Sequence, residues 1–179
     1  MLRKEKLSLV YAEYLAIGGG NEGKISGFHE YLQRKKILFT GTKHLINRQN
    51  LLFIPIFDSL TDSFITAQYI SPAGKTRFAK CLSTAGGYAR VARKAGTSDF
   101  CFFVESYADA LTAVALTDAT AYCCFYRDNV APVIRNLLLR KKVDVKKSVV
   151  ISYKSTGGLN DLYLRDRGRA KEFLESVIK

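Results

Sequence analysis

The stretch that decides the fold is DFCFFVESYADALTAVALTDATAYCCFY, residues 99–126. It opens with Asp99 to Glu105, an apolar run closed by an acid. Residues 106–117 (SYADALTAVALT) follow, alanine-rich and helical in pattern, and residues 120–126 (TAYCCFY) form a second apolar run. Neither run alternates apolar with polar. A strand needs no alternation when helices cover both faces of its sheet, which is the condition of parallel sheets. Downstream the pattern repeats. Residues 129–142 (NVAPVIRNLLLRKK) are helical, with Pro132 tolerable in the first turn. Residues 147–153 (KSVVISY) are a third apolar run, and residues 159–178 read as one closing amphipathic helix carrying Phe173, Leu174 and Val177. This alternation predicts an α/β fold with a parallel sheet flanked by helices.

Upstream the pattern is different. Leu7, Val10, Tyr11, Tyr14 and Leu15 recur at helical spacing over residues 4–17, and Gly18-Gly19-Gly20-Asn21 ends that helix. Residues 27–36 read as a short helix ending in cations that suit the negative end of its dipole. Residues 51–57 and 64–70 are strand candidates on either side of the turn Asp58-Ser59-Leu60-Thr61-Asp62-Ser63, an antiparallel hairpin. Ser71-Pro72-Ala73-Gly74 is a further turn, leading into a third strand at 75–80, with another short strand at 86–91. The expected organisation is a basic α+β subdomain (helix plus antiparallel strands) over residues 1–97, followed by the parallel-sheet domain over 98–179.

A chain of 179 residues suits one domain or two small ones, and 47% hydrophobic residues suffice for a core. No apolar run approaches membrane-spanning length and no signal-peptide pattern follows the N-terminus, so an intracellular, cytoplasmic protein with no membrane partner is expected. Cys81, Cys101, Cys123 and Cys124 form no CxxC pair, which argues against a zinc ribbon and for reduced core cysteine. The two histidines, His29 and His44, show no metal-ligand spacing. Ser71 to Thr76 lacks the spacing of a phosphate loop and reads as a hairpin turn.

The net charge is +12, and residues 1–97 hold 15 Lys and Arg against 6 Asp and Glu. A surplus of that size attracts polyanions, nucleic acid first among them. Lys75, Arg77, Lys80, Arg90, Arg93 and Lys94 form a basic stretch interleaved with Phe78 and Tyr88. Cations meet phosphates and aromatic rings stack on unpaired bases. Arg34, Lys35 and Lys36 are further candidates, as are Lys141, Lys142, Lys146 and Lys147.

Several segments resemble, in consistent order, the Toprim-domain primases of plasmids and phages. His29 to Ile37 is similar to their H-x-Y-L-x-x-K-x-I segment, and Leu51 to Phe57 resembles their LLVPL-D strand. Ala67 to Phe78 resembles LQ-I-x-x-x-G-x-K-x-F, Val104 to Ala110 resembles the glutamate motif EGYATA, and Cys124 to Val130 parallels AFDAGNL. Val149 to Ser152 parallels the strand leading into the family's Asp-x-Asp, and Gly168-Arg169-Ala170 echoes a closing G-x-x-A helix. The resemblance implies a Toprim-like sheet and a role in replication or mobile-element biology. The zinc-binding and helicase parts often attached to such primases have no counterpart in this sequence.

In that family one glutamate and an Asp-x-Asp pair hold Mg²⁺, a hard ion that takes oxygen ligands and neutralises charge during phosphoryl transfer. Glu105 matches the glutamate. It also opens a helix, where the dipole favours a carboxylate with or without metal. The aspartates are missing: no acid lies between Lys146 and Asp161, and Lys154 and Thr156 stand in the Asp-x-Asp region. Tyr126 occupies the Asp position of AFDAGNL, with Asp128 nearby as a partial substitute. The resemblance therefore implies a catalytically degenerate relative, without metal or other cofactor, binding single-stranded or primed DNA, with RNA left open. Two rivals stand beside it. One is an active Mg²⁺-dependent primase or nuclease using Glu105 and Asp128, helped by Asp109 or Asp161. The other is a module that helps or inhibits a replication or host defence protein.

Overall fold

The computed structural model describes residues 3–18, 29–37, 44–80, 82–93, 98–152 and 157–178. The elements run, in chain order, α1 (Arg3–Ala16), α2 (Glu30–Arg34), β1 (Leu45–Ile46), β2 (Leu52–Asp58), β3 (Phe64–Ile70), β4 (Thr76–Phe78), β5 (Gly87–Val91), β6 (Cys101–Val104), α3 (Tyr107–Thr117), β7 (Thr120–Cys123), α4 (Val130–Leu139), β8 (Ser148–Val150), α5 (Leu159–Arg165) and α6 (Arg167–Ile178). The strands form one sheet in the order β4-β3-β2-β5-β7-β6-β8, with β1 paired to β2. β6 is parallel to both β7 and β8, and the other pairings are antiparallel. The class is α/β, with parallel strands flanked by helices and preceded by a helix and antiparallel strands.

The run Cys101 to Val104 is buried at every position because it lies between two cores. Phe102 and Val104 pack with α3, α5 and α6 through Leu111, Leu159 and Leu174. Cys101 and Phe103 pack with Val133 and Leu137 of α4. The strand order explains why the helices divide. The chain steps from β6 to β7 through α3, then returns past β6 to β8 through α4. Right-handed crossovers in opposite directions must place their helices on opposite faces. α1 covers the antiparallel strands on the α4 side, where Tyr14 stacks on Phe64 with ring centroids 5.3 Å apart. Glu13 fixes that helix by accepting from the Tyr69 hydroxyl at 2.7 Å and from Asn47 Nδ2 at 2.8 Å.

Residues 159–178 form two helices rather than the single one expected. Asp166 leaves helical backbone (φ −153°, ψ 101°), and its carboxylate accepts from the Arg169 amide at 3.0 Å. A short acidic side chain satisfies the free amides of a new helix start better than it serves a helix interior.

β5 joins the antiparallel strands to the parallel ones. It pairs with β2 through Phe57↔Tyr88 and Asp58↔Gly87 only, and with β7 on its other side. The buried Asn129 fastens this join. Its Oδ1 accepts from the Gly86 amide at 2.7 Å, and its Nδ2 donates to the carbonyls of Gly87 (2.7 Å) and Cys124 (2.9 Å). Gly87 must be glycine here, because a Cβ would lie 2.6 Å from Ile56 Cγ2 and 2.9 Å from the Thr84 carbonyl. From α4, Asn136 donates to Ser59 Oγ at 3.0 Å and Arg140 to Asp62 at 2.8 Å, holding the β2–β3 turn to the same corner.

Two stability predictions follow from these buried polar groups. Asn129→Ala removes three short hydrogen bonds from a buried amide to the backbone of this corner and is expected to cost about 3 kcal/mol, read as a lower denaturation midpoint with unchanged slope. His44 is buried, and among the described residues neither ring nitrogen has a hydrogen-bond partner. Burial, helped by the nearby His29, pushes its pKa down to about 4. The imidazole is thus neutral in the fold and charged in the unfolded chain at mildly acid pH. Its contribution is complete above pH ~6.5 and lost as pH falls towards 4, about 3 kcal/mol in all. Denaturant titrations at pH 7.5 and 4.5 are expected to differ by that order in the natural chain and by less in His44→Phe.

Candidate functional site

The carboxyl ends of β6, β7 and β8 meet where the strand order reverses, with β7 on one side of β6 and β8 on the other. Such a switch point leaves a crevice, because the two crossovers depart over opposite faces. Glu105 follows β6 directly, and Ser106 caps α3 by accepting from the Asp109 amide at 3.1 Å. From the end of β8, Ser152 Oγ donates to Glu105 Oε1 at 3.0 Å. From the end of β7, Arg127 Nη2 donates to the same Ser152 hydroxyl at 3.3 Å. One hydroxyl therefore bridges a guanidinium and a carboxylate, each delivered by a different strand.

The turn after β7 is shaped for this. Phe125 has φ +69°, a left-handed conformation that bulky side chains seldom adopt. Its neighbours are locked: Cys124 donates its amide to the Val104 carbonyl at 2.8 Å, and Asn129 holds the far side of the turn. The turn leaves Tyr126, Arg127 and Asp128 exposed. Strain of this kind persists where the surrounding structure imposes it, often at functional turns.

Cys101, Cys123 and Cys124 are buried thiols. Burial, with the charge of Glu105 nearby, pushes Cys124 up to about 12, and burial raises Cys101 and Cys123 as well, so these thiols stay protonated at neutral pH. Among the described residues no three His, Cys, Asp or Glu side chains gather to hold a metal ion. Asp109 and Asp161, the other acids considered for one, are both committed to α5. Asp109 is buried, and its carboxylate accepts from the Asn160 amide at 2.7 Å and from the Ser106 hydroxyl at 2.7 Å. Burial raises its pKa. Asp161 accepts from the Gly158 amide at 3.1 Å and pairs with Lys35 at 3.3 Å.

The basic stretch of residues 75–94 is not one surface. Lys75, Arg77, Phe78 and Lys80 lie exposed on and around the edge strand β4. Arg77 lies over the Tyr69 ring, 5.1 Å from its centroid. Phe78 meets Phe125 edge-on, with ring centroids 5.8 Å apart. Three strands separate β4 from β7 in the sheet order, which in a flat sheet would hold them roughly 19 Å apart. The contact therefore requires the sheet to curl, bringing the β4 edge to the turn beside Glu105. Arg34 joins this edge, its guanidinium 3.0 Å from where a Cβ on Gly74 would lie.

Tyr88 is elsewhere. It is buried, its ring 5.7 Å from that of Tyr122 and its hydroxyl donating to Asp62, so its face is not open to a base. The reason is strand alternation: Tyr88 points into the α4-side core while its neighbour Ala89 points into the other. Arg90 is exposed on β5, opposite Tyr122. Arg93 pairs with Asp118. Lys36 is exposed at the end of α2, with φ +51°. Lys94, Lys154, Thr156 and Cys81 lie outside the described residues. The site members that sequence reasoning passed over are Arg127, Ser152 and Phe125. The Cys124-to-Val130 turn matters less for its acid than for Arg127, which reaches Glu105 through Ser152.

No family model and no curated protein sequence matches the chain. Among solved structures it is similar to a chain from the complex of the bacteriophage T7 lagging-strand DNA polymerase with the primase domains of two gp4 subunits bound to an RNA/DNA hybrid and dTTP. The identity is 10%, the TM-score 0.38, and the match covers 72% of this chain and 77% of that one.

The two carboxylates near α3 are expected to behave oppositely. Asp109→Ala removes two buried hydrogen bonds and a helix cap, and is expected to cost about 3 kcal/mol in chemical denaturation. Glu105→Ala, with a single partly exposed partner, is expected to change stability by no more than about 0.5 kcal/mol.

Proposed function

We propose that this chain is a nucleic-acid-binding, primase-like protein of a replication or mobile-element system, acting in the cytoplasm and binding single-stranded or primed DNA without metal-dependent catalysis. One observation carries the reading: the curl of the sheet sets the cationic β4 edge and the exposed Phe78 against the turn that holds Arg127 beside Glu105. A strand lying along that edge would place phosphates near Arg34, Lys75, Arg77 and Lys80. It would offer a base to the open face of Phe78 and end at the crevice of the parallel strands. The net charge of +12 supports the attraction. The resemblance of the ordered segments to Toprim primases supports the biological setting.

The chemistry of the crevice supports binding over catalysis. A metal centre of the family's kind needs several carboxylates converging on one point. Here a serine ends β8, the segment between Lys146 and Asp161 carries no acid, and the one matching glutamate faces a guanidinium through Ser152. An arginine in that place offers phosphate a fixed cation with a planar donor fork, which serves recognition without activating a nucleophile. The division at residue 97 fits this use, with the basic subdomain guiding the strand and the parallel-sheet domain receiving its end.

Titration of a fluorescent single-stranded oligonucleotide across a salt series tests the proposal. Binding is expected to weaken with a log–log slope of roughly −3 if four phosphates are neutralised, and to be indifferent to Mg²⁺. Phe78→Ala is expected to cost about 1–3 kcal/mol of affinity through lost stacking, while Tyr88→Phe leaves it unchanged. Absence of binding at low salt sinks the reading and favours a protein partner. Binding that requires Mg²⁺ and is lost in Glu105→Ala favours the enzyme.

A further inference from the structure

A pocket of about 640 Å³ lies at the opposite, amino-terminal ends of the parallel strands, on the α4 side of the sheet. That volume falls within the range of about 300–1,000 Å³ common for small-molecule sites. Arg90 enters it from β5, and Lys141 and Lys142 from the turn after α4. Ser98, Thr120 and Tyr122 also line it; Arg90 hydrogen-bonds the Tyr122 hydroxyl, and Ser98 Oγ accepts from the Phe100 amide at 3.3 Å. Among the described residues none of the three cations is in an ion pair. Two acids share the lining: Asp99 pairs with Lys147 at 2.7 Å, and Asp144 keeps its charge while its Oδ1 accepts from the Lys146 amide at 2.9 Å.

Lys141 carries a second signal. The Lys142 amide returns to the Leu137 carbonyl and the Lys141 amide to the Leu138 carbonyl, both at 2.9 Å, closing α4 with a paired-bond stop. The residue at the stop has φ +54°, a position where glycine is preferred because it has no Cβ to strain. A lysine there is held in an unfavourable conformation in the lining of the pocket. Its charge offsets the negative end of the α4 dipole, but that benefit needs no left-handed lysine and does not account for Arg90 across the pocket.

We propose that this pocket binds a small anion carrying phosphate groups, held by Arg90, Lys141 and Lys142, at a site separate from the crevice around Glu105. With Asp99 taken up by Lys147, the three cations stand against Asp144 alone, so the lining keeps a surplus of two positive charges, and a monocarboxylate would neutralise only one. A phosphomonoester dianion or a short phosphate chain matches the charge. It also suits the donor set: the Arg90 fork takes two oxygens, the ammonium groups act as point charges, and the hydroxyls donate to what remains. The source of the phosphate is either a free small molecule or the 5′-phosphate of a nucleic-acid end. The site stands independently of strand binding at the β4 edge.

The test is calorimetric titration of the full chain with inorganic triphosphate at low salt. Binding is expected, weakened at least tenfold in Arg90→Ala and in Lys142→Ala, and changed less than twofold in Glu105→Gln and Phe78→Ala. Lys141→Gly is expected to raise the melting temperature while weakening triphosphate at least threefold; a lysine with no ligand would give the first effect without the second, and that result overturns the site. Competition by a 5′-phosphorylated oligonucleotide, but not by its 5′-hydroxyl counterpart, assigns the phosphate to a strand end. Competition by neither assigns it to a free small molecule. Equal competition by both, no binding at low salt, or an affinity unchanged in Arg90→Ala and Lys142→Ala overturns the proposal.

Discussion

The amide of Asn129 is the constraint on which the arrangement of this chain depends. β2 and β5 share only two register pairs, too few to fix the angle between the antiparallel and parallel strands. Asn129 supplies what the ladder lacks, reaching from the turn after β7 to both sides of the β5 start with one acceptor and two donor contacts under 3 Å. The two bonds to the Gly87 and Cys124 carbonyls are buried and have little competing water, so they are expensive to lose. The ties of Asn136 and Arg140 to the β2–β3 turn hold the same corner from α4.

That corner positions the candidate site. With the sheet curled, the edge of β4 comes to the carboxyl ends of strands that are distant from it in the sheet, and Phe78 touches Phe125. The crevice then combines groups from four strands: Glu105 after β6, Arg127 after β7, Ser152 after β8 and the cations around β4. Its polarity is mixed. The bridge through Ser152 gives Glu105 a cationic neighbour, and a cationic surface beside an aromatic ring is suited to holding a strand.

Among the described residues, five of the six non-glycine positions of positive φ carry a charge or an aromatic ring, Asn50 being the sixth. Lys36 and Lys141 each stand at the carboxyl end of a helix, and Phe125 stands at the turn beside Glu105. Each helix stop returns two amides to carbonyls of its last turn, α2 through Lys36 and Ile37 and α4 through Lys141 and Lys142. The same Arg-Lys-Lys sequence therefore ends both helices and leaves a lysine on a left-handed backbone at the surface. Glycine would end either helix at lower conformational cost.

The α/β class was legible because apolar runs such as Cys101 to Val104 can be buried on two faces only in a helix-covered parallel sheet, and the hairpin of β2 and β3 was legible from its turn residues. Glu105 was legible from its place between an apolar run and a helix. These are local patterns, and each reports on a few consecutive side chains. The sequence could not show that Tyr88 and Arg90, two residues apart on β5, would part company, one into the core and one into a pocket with Lys141. Nor could it show that Asp166 would end one helix and begin another. Above all, it could not bring Arg127 to Ser152 or Phe78 to Phe125. Contacts between residues 25 and 47 positions apart depend on sheet curl and strand order, which are set by long-range packing around Asn129 and not by any neighbouring residue.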